Sequence, residues 1–455
     1  MDIAGLDPGV VAEAERETSE LLSRLIQIDT SNPPGNETAV AGFMDGWFRE
    51  AGLHGEIVGE PADRRSFVLR LEGQRPGPSL LLLAHEDVVP ASAADWQVPP
   101  FSGLIKDGYV WGRGAVDIKN LVAAHAVAVR RLAAAGAPFA GSVTYACTAD
   151  EEEGTVGGAR WLVKHRPDLM RCDYVINEGG GHFLEHAAGR VYLLESGEKG
   201  TAQFRLVVHG EAGHASVPLR RGNAVVSAAQ VVEALVAHEL PVVVDGSSRE
   251  LVELLVDDPD LRARLRDPAA ARGALADLSA RDPKLADMIE PLYGFAFSPT
   301  IVQSNSVAVN VYPTRVELSV DCRMLAGHDE DEVEAEVRAA LAGVEAKWDL
   351  EWIGVTRGNA SPYPTPLADA IRTVLQRYVP GAELANSHSV GFTDSNWFRA
   401  AYPEIVAYNF APHIVESYDE VAPRYHNVDE RIHVRDLAFQ ALFAERVALE
   451  LLKET

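Results

Sequence analysis

The chain has 455 residues, 47% of them hydrophobic and 24% charged, and a formal net charge of −26. That length holds two or three domains of ordinary globular composition, and the acidic balance argues against nucleic acid or anionic membrane as a main partner. No apolar run reaches about 18 residues and the N-terminus lacks a signal-type pattern, so the expectation is a soluble, cytoplasmic protein that binds no membrane.

Residues Pro8 to Ile28 have helical periodicity, the loop Thr30-Ser-Asn-Pro-Pro-Gly35 breaks it, and Glu37 to Gly52 resumes a helix. Phe67 to Leu71 and Leu80 to Ala84 are runs of strand length, the second apolar throughout, as in a strand covered on both faces. Ile118 to Ala135 is an Ala-rich helix ended by Gly136 and Pro138. Val143 to Ala149 and Tyr174 to Ile176 are two more buried-type strands. The alternation predicts an α/β layer architecture. Cys147, Cys172 and Cys322 are widely spaced, with no CxxC pair, and read as buried free thiols.

From Gly197 the pattern changes. Thr201 to His209 alternates as a strand, and Ala224 to Val236 is an apolar helix. Val307 to Val311 with Val316 to Arg323 suggest a hairpin, and Glu330 to Val344 an acidic helix. This order predicts an α+β domain inserted over 198–354, carrying an extra helical segment at about 247–298. The α/β pattern then returns over 355–455, completing a first part at 1–197. Its elements are helices at Leu367 to Tyr378 and Ser395 to Ala400, a strand at Ile405 to Asn409 and a last helix from Val434.

Four segments end in potential metal ligands. Leu80-Leu-Leu-Leu-Ala-His85-Glu-Asp87 ends a strand, and Gly112-Arg-Gly-Ala-Val-Asp117 leads into a helix. Asp150-Glu-Glu-Glu153 follows another strand, as does Glu178. Alone, His85 fits a structural histidine, Asp117 a helix cap, Glu178 a turn acid, and the acid run a solvated turn. Together they suit divalent cations, because sites in open α/β sheets form beyond the carboxyl ends of strands.

With Gly197-Glu-Lys-Gly200, Gly213-His-Ala-Ser-Val-Pro218, Asn310-Val-Tyr-Pro313, Asp321-Cys-Arg323 and Tyr425-His426-Asn, these motifs resemble the M20 metallopeptidases nearly end to end. That family includes carboxypeptidases, dipeptidases, aminoacylases and succinyl-diaminopimelate deacylases. The resemblance implies a zinc-dependent exopeptidase-like catalytic domain, a mixed sheet flanked by helices, with an inserted α+β lid and dimerisation domain. It implies two Zn2+ per chain, with Co2+ or Mn2+ as substitutes. His85 and Glu178 would bind one ion, Glu152 and His426 the other, and Asp117 would bridge them. Glu151 would be the general base for a metal-activated water, Asp87 would orient the His85 ring, and His214 would stabilise the oxyanion. Asn310, Arg323, Gly391 and Thr393 would contact the substrate. The implied reaction cleaves an amide next to a residue with a free carboxylate, in a peptide or alternatively an N-acyl amino acid, with a homodimer formed through the lid. A ligand-binding member without catalysis would have lost Glu151 or a ligand, and none is missing.

The chain departs from the family pattern in four places. Glu86 adds a charge or points to solvent, Glu153 extends the acid run, Phe392 replaces a small residue, and Ser247 to Glu290 lengthens the lid.

Overall fold

The computed structural model describes residues 3–154, 157–187, 189–219 and 221–453, so Thr155 and Val156 of the acidic stretch lie outside the described residues. The chain forms two compact units. The first comprises Met1–Ser196, Ser361–Ser387 and Thr393–Thr455, and the second Gly197–Ala360 and His388–Phe392.

In the first unit, Ala140–Thr148, Arg75–His85, Tyr174–Asn177 and Val406–Asn409 lie side by side as a parallel block. Ser66–Glu72 and Glu56–Val58 extend it antiparallel at one edge, and Gly189–Glu198 pairs antiparallel at the other and runs on into the second unit. The apolar run at Leu80 now has its reason. Leu80 and Leu82 pack into a core with the helices Pro8–Ile26, Lys119–Ala134 and Val434–Leu451. Leu81 and Leu83 face the opposite core, with Leu162 and Phe398. Each such side chain contributes roughly 1.5–3 kcal/mol on burial, so both faces demand hydrophobes. The strands Gly189–Glu198 and Glu383–Ser389 were not anticipated from the sequence.

The second unit is built on a four-stranded antiparallel sheet in the order Ala296–Ser304, Arg315–Met324, Gly200–His209, Lys347–Thr356. Helices Ala224–Ala237 and Glu330–Ala340 share its core. The expected hairpin at Val307 to Val311 is corrected: the partner of Arg315–Met324 is Ala296–Ser304, while Val307 and Val309 are fully exposed. Their alternation mimics a strand but has no sheet face to bury. The extra segment is four short helices between Gly246 and Ile289. Its expected end at 298 is also corrected, since the edge strand already begins at Ala296. All three cysteines are free and buried. Among the described residues no helix is long and apolar enough to cross a membrane.

Candidate metal centre

Three neighbouring parallel strands end at one place. Arg75–His85 stops at His85, Ala140–Thr148 is followed by Asp150, Glu151 and Glu152, and Tyr174–Asn177 by Glu178. Because the strands run parallel, their carboxyl ends share an edge and these side chains meet there. Asp117 comes from the turn before helix Lys119–Ala134, and His426 from a turn whose backbone is left-handed at that residue (φ 54°).

Asp117 is divided between the two imidazoles. Its Oδ1 lies 3.2 Å from His85 Nε2 and its Oδ2 3.0 Å from His426 Nε2. Glu178 Oε2 is 3.4 Å from His85 Nε2, and Glu152 Oε2 is 3.2 Å from His426 Nε2. Glu151 Oε2 stands 3.9 Å from His85 Nε2. Two triads, His85 with Asp117 and Glu152, and His85 with Glu151 and Glu178, are compact enough to hold an ion.

The residues fit a cation. His85 is buried, and its Nδ1 donates to the Asp87 carbonyl oxygen at 3.0 Å, since a carbonyl only accepts. Nε2 is therefore the nitrogen left for the site, yet neither it nor Glu178 Oε1 makes a well-aligned hydrogen bond. Buried polar atoms are rarely left so unless an ion or catalytic role uses them.

The charges bear on one another. Burial lowers the His85 pKa, but Glu178, Asp117 and Asp87 outweigh it and hold it well above the ordinary value. Hydrogen bonds to Asp117, then Glu152, push His426 up to about 10. Asp117 is held well below the carboxylate range: burial opposes this, and the neighbouring His426 and His85 rings prevail. Burial, then the Glu178 charge, pushes Glu151 well above its usual value.

Asp87 does more than face the His85 ring, where its carboxylate is 3.5 Å from Nδ1. It accepts the backbone N–H groups of Glu151 and Glu152, each at 3.1 Å, and Asn32 Nδ2 at 2.9 Å. Behind it, Arg64 bonds Glu37 at 2.7 Å and Asp150 at 2.8 Å, and Asn32 also reaches Asp150. Sequence reading missed Asn32, Glu37, Arg64 and Glu430. The only local signal was polar residues in and beside the Thr30–Gly35 break; Arg64 and Glu430 carried none. Asp394 was also missed: it accepts from Thr148 Oγ1 at 2.8 Å and burial pushes its pKa up to about 8. Glu86 does not point to solvent. It is fully buried, and burial raises its pKa well above the ordinary value. Glu153 is exposed, unlike its two predecessors.

His214, Asn310, Arg323 and Gly391 belong to the second unit. Gly213–His214 ladders with Val311–Tyr312, and the Ala215 N–H donates to the Asn310 carbonyl at 3.0 Å. The Ser216 N–H donates to His214 Nδ1 at 3.2 Å, so the proton of a neutral ring sits on Nε2. Arg323 Nε bonds Asp321 at 2.9 Å, and the Gly391 N–H donates to Ser389 Oγ at 3.2 Å. Thr393 belongs to the first unit, buried, its hydroxyl accepting from the Ser395 N–H and from Asn409 Nδ2.

A family model described as peptidase family M20/M25/M40 matches residues 81–450. The chain is 26% identical over 458 residues to the human N-fatty-acyl-amino acid synthase/hydrolase PM20D1, covering 96% of this chain and 88% of that one. It is 26% identical over 371 residues to the succinyl-diaminopimelate desuccinylase of Magnetococcus marinus, with 79% and 80% covered. Its fold matches that of Sso-CP2, an M20 family metallo-carboxypeptidase from Sulfolobus solfataricus, at a TM-score of 0.72 and 18% identity, covering 96% of this chain and 99% of that one. Fold and family match agree: the chain belongs to the M20/M25/M40 peptidase family and is an enzyme that hydrolyses carbon–nitrogen bonds.

Proposed function

We propose that this protein is a two-metal hydrolase that cleaves an amide bond beside a residue with a free carboxylate, as a carboxypeptidase or dipeptidase does. The observation that carries the reading is Asp117, one carboxylate facing His85 and His426 with different oxygens. Two divalent cations, zinc suiting imidazole and carboxylate donors, would supply Lewis acidity and a lowered water pKa. His85 and Glu178 would hold one, Glu152 and His426 the other, and Asp117 both. Glu151 would take the proton from the attacking water and return it to the leaving amine. His214 would donate from Nε2 to the developing oxyanion. Arg323, whose free nitrogens could pair with a carboxylate, would act with Asn310 and Gly391 on the substrate's acid end, while Thr393 would shape the loop beside it.

An N-acyl-amino-acid deacylase is the second reading, supported by the names of two curated relatives, an N-fatty-acyl-amino acid synthase/hydrolase and a succinyl-diaminopimelate desuccinylase. Hydrolysis of a mixed panel of dipeptides and N-acyl amino acids, with and without chelator, separates the two. Chelator-insensitive turnover, or none on any amide, would overturn both.

A homodimer through the second unit belongs to the same reading. Helix Ala224–Ala237 and the edge strand Ala296–Ser304 line a groove of about 510 Å³ with Val225, Val232 and Val302, and Val226 and Ile301 are also exposed. An unpaired strand edge beside apolar side chains is a surface that a second copy would cover.

A further inference from the structure

Glu430 is fully buried, and it ties together the two loops that present Asp117 and His426. Its Oε1 accepts the backbone N–H groups of Val116 at 2.7 Å and Asp117 at 3.1 Å. Its Oε2 accepts from Arg113 Nη1 at 2.8 Å, and its carbonyl oxygen accepts the Gly112 N–H at 2.9 Å. Arg113 Nη1 also donates to the Asn427 carbonyl at 3.1 Å. Neither loop has regular secondary structure at its ligand, and the His426 side chain is 55% exposed, so packing does little to hold it. Charge-assisted hydrogen bonds are the strong ones, and here they converge on one carboxylate whose two oxygens match three donors.

We propose that Glu430 is a positioning residue for the ion shared by Asp117, Glu152 and His426, fixing the separation of Asp117 and His426 through their backbones. The inference rests on the two-metal reading above. Its mark is asymmetry between the two ions. His85 and Glu178 stand at the ends of sheet strands outside the tie, so the ion they hold loses only what Asp117 contributes.

The test titrates metal-stripped, full-length protein with Zn2+ by calorimetry and follows Co2+ binding through its visible spectrum. Wild type is compared with Glu430→Gln, Glu430→Ala and Arg113→Gln. One of the two affinities should fall about 10–100-fold, the usual cost of losing a partner that orients a ligand, and more for Ala than for Gln. The other affinity should fall by clearly less, by only the share that Asp117 contributes to it. On a His426→Ala background, Glu430→Gln should cost clearly less than it does in wild type, because both changes act on the same ion and only the hold on Asp117 remains to be lost. Equal weakening of both ions, or of neither, in a wild type that binds two would overturn the proposal. A wild type that binds no divalent ion would instead overturn the two-metal reading. Arg113→Gln leaves Glu430 holding Val116 and Asp117, and gives the same asymmetry should the Glu430 variants not fold; two unchanged affinities there would equally overturn it.

Discussion

The Asp87 carboxylate holds the backbone N–H of Glu151 at 3.1 Å with one oxygen and that of Glu152 at 3.1 Å with the other. The turn is thus latched by its main chain, and the Glu151 side chain is left for chemistry. Glu151→Gln should therefore keep its metal content and lose about 10²–10⁴-fold in kcat, the usual share of a general base. Elemental analysis beside steady-state kinetics checks this, and a near-normal kcat would remove Glu151 from the role.

Arg64 is the buried cation behind that turn, bonded to Glu37 and Asp150, with its side chain 10% exposed and theirs not at all. Removing one partner of a buried pair leaves uncompensated charge. Arg64→Met is expected to cost about 3–5 kcal/mol, read as a shift of the urea unfolding midpoint; a loss below about 1 kcal/mol, the range of exposed pairs, would mean the pair is solvent-screened.

Metal uptake should release protons. His426 titrates at about 10, raised by Asp117 and Glu152, so its ring is charged at neutral pH and must lose that proton to bind a cation. Lowering the pH favours the protonated ring, and apparent metal affinity should fall about tenfold per pH unit for each proton displaced. Calorimetry in two buffers of different ionisation enthalpy counts those protons; a count of zero would contradict the ligand role of His426.

His125 lies buried in helix Lys119–Ala134, where burial drives its pKa down to about 3, against a backbone hydrogen bond to Leu83. Its folded pKa is depressed, so between about pH 6.5 and 3 the unfolded chain takes up a proton that the fold refuses. The contribution is complete above about 6.5 and declines by about 1.4 kcal/mol per unit as the pH falls. Wild type should therefore lose stability relative to His125→Gln between pH 7 and 5, measured by urea unfolding at each pH. A constant difference would show that His125 does not titrate there.

The exposed valines of the second unit make the assembly testable. Val302→Asp places a charge on the edge strand, and should convert a dimer to monomers in light scattering while leaving the fold intact by circular dichroism. A wild type already monomeric at micromolar concentration would remove the dimer reading.

The sequence by itself determined the candidate ligand types and their order along the chain. His85, Asp117, the acid run and Glu178 each follow a local strand or precede a local helix, and such signals survive in one dimension. It also determined the fully apolar Leu80–Ala84 strand, because a strand covered twice cannot alternate. Only the tertiary structure decided which strands pair. Val307 to Val311 alternates like a strand, but register is a property of two segments, and Ala296–Ser304 took the position beside Arg315–Met324. The supports of the site were equally hidden. Asn32, Arg64 and Glu430 bond to residues far away in the chain, and no spacing or period marks a side chain whose partner is brought to it only when the sheet closes.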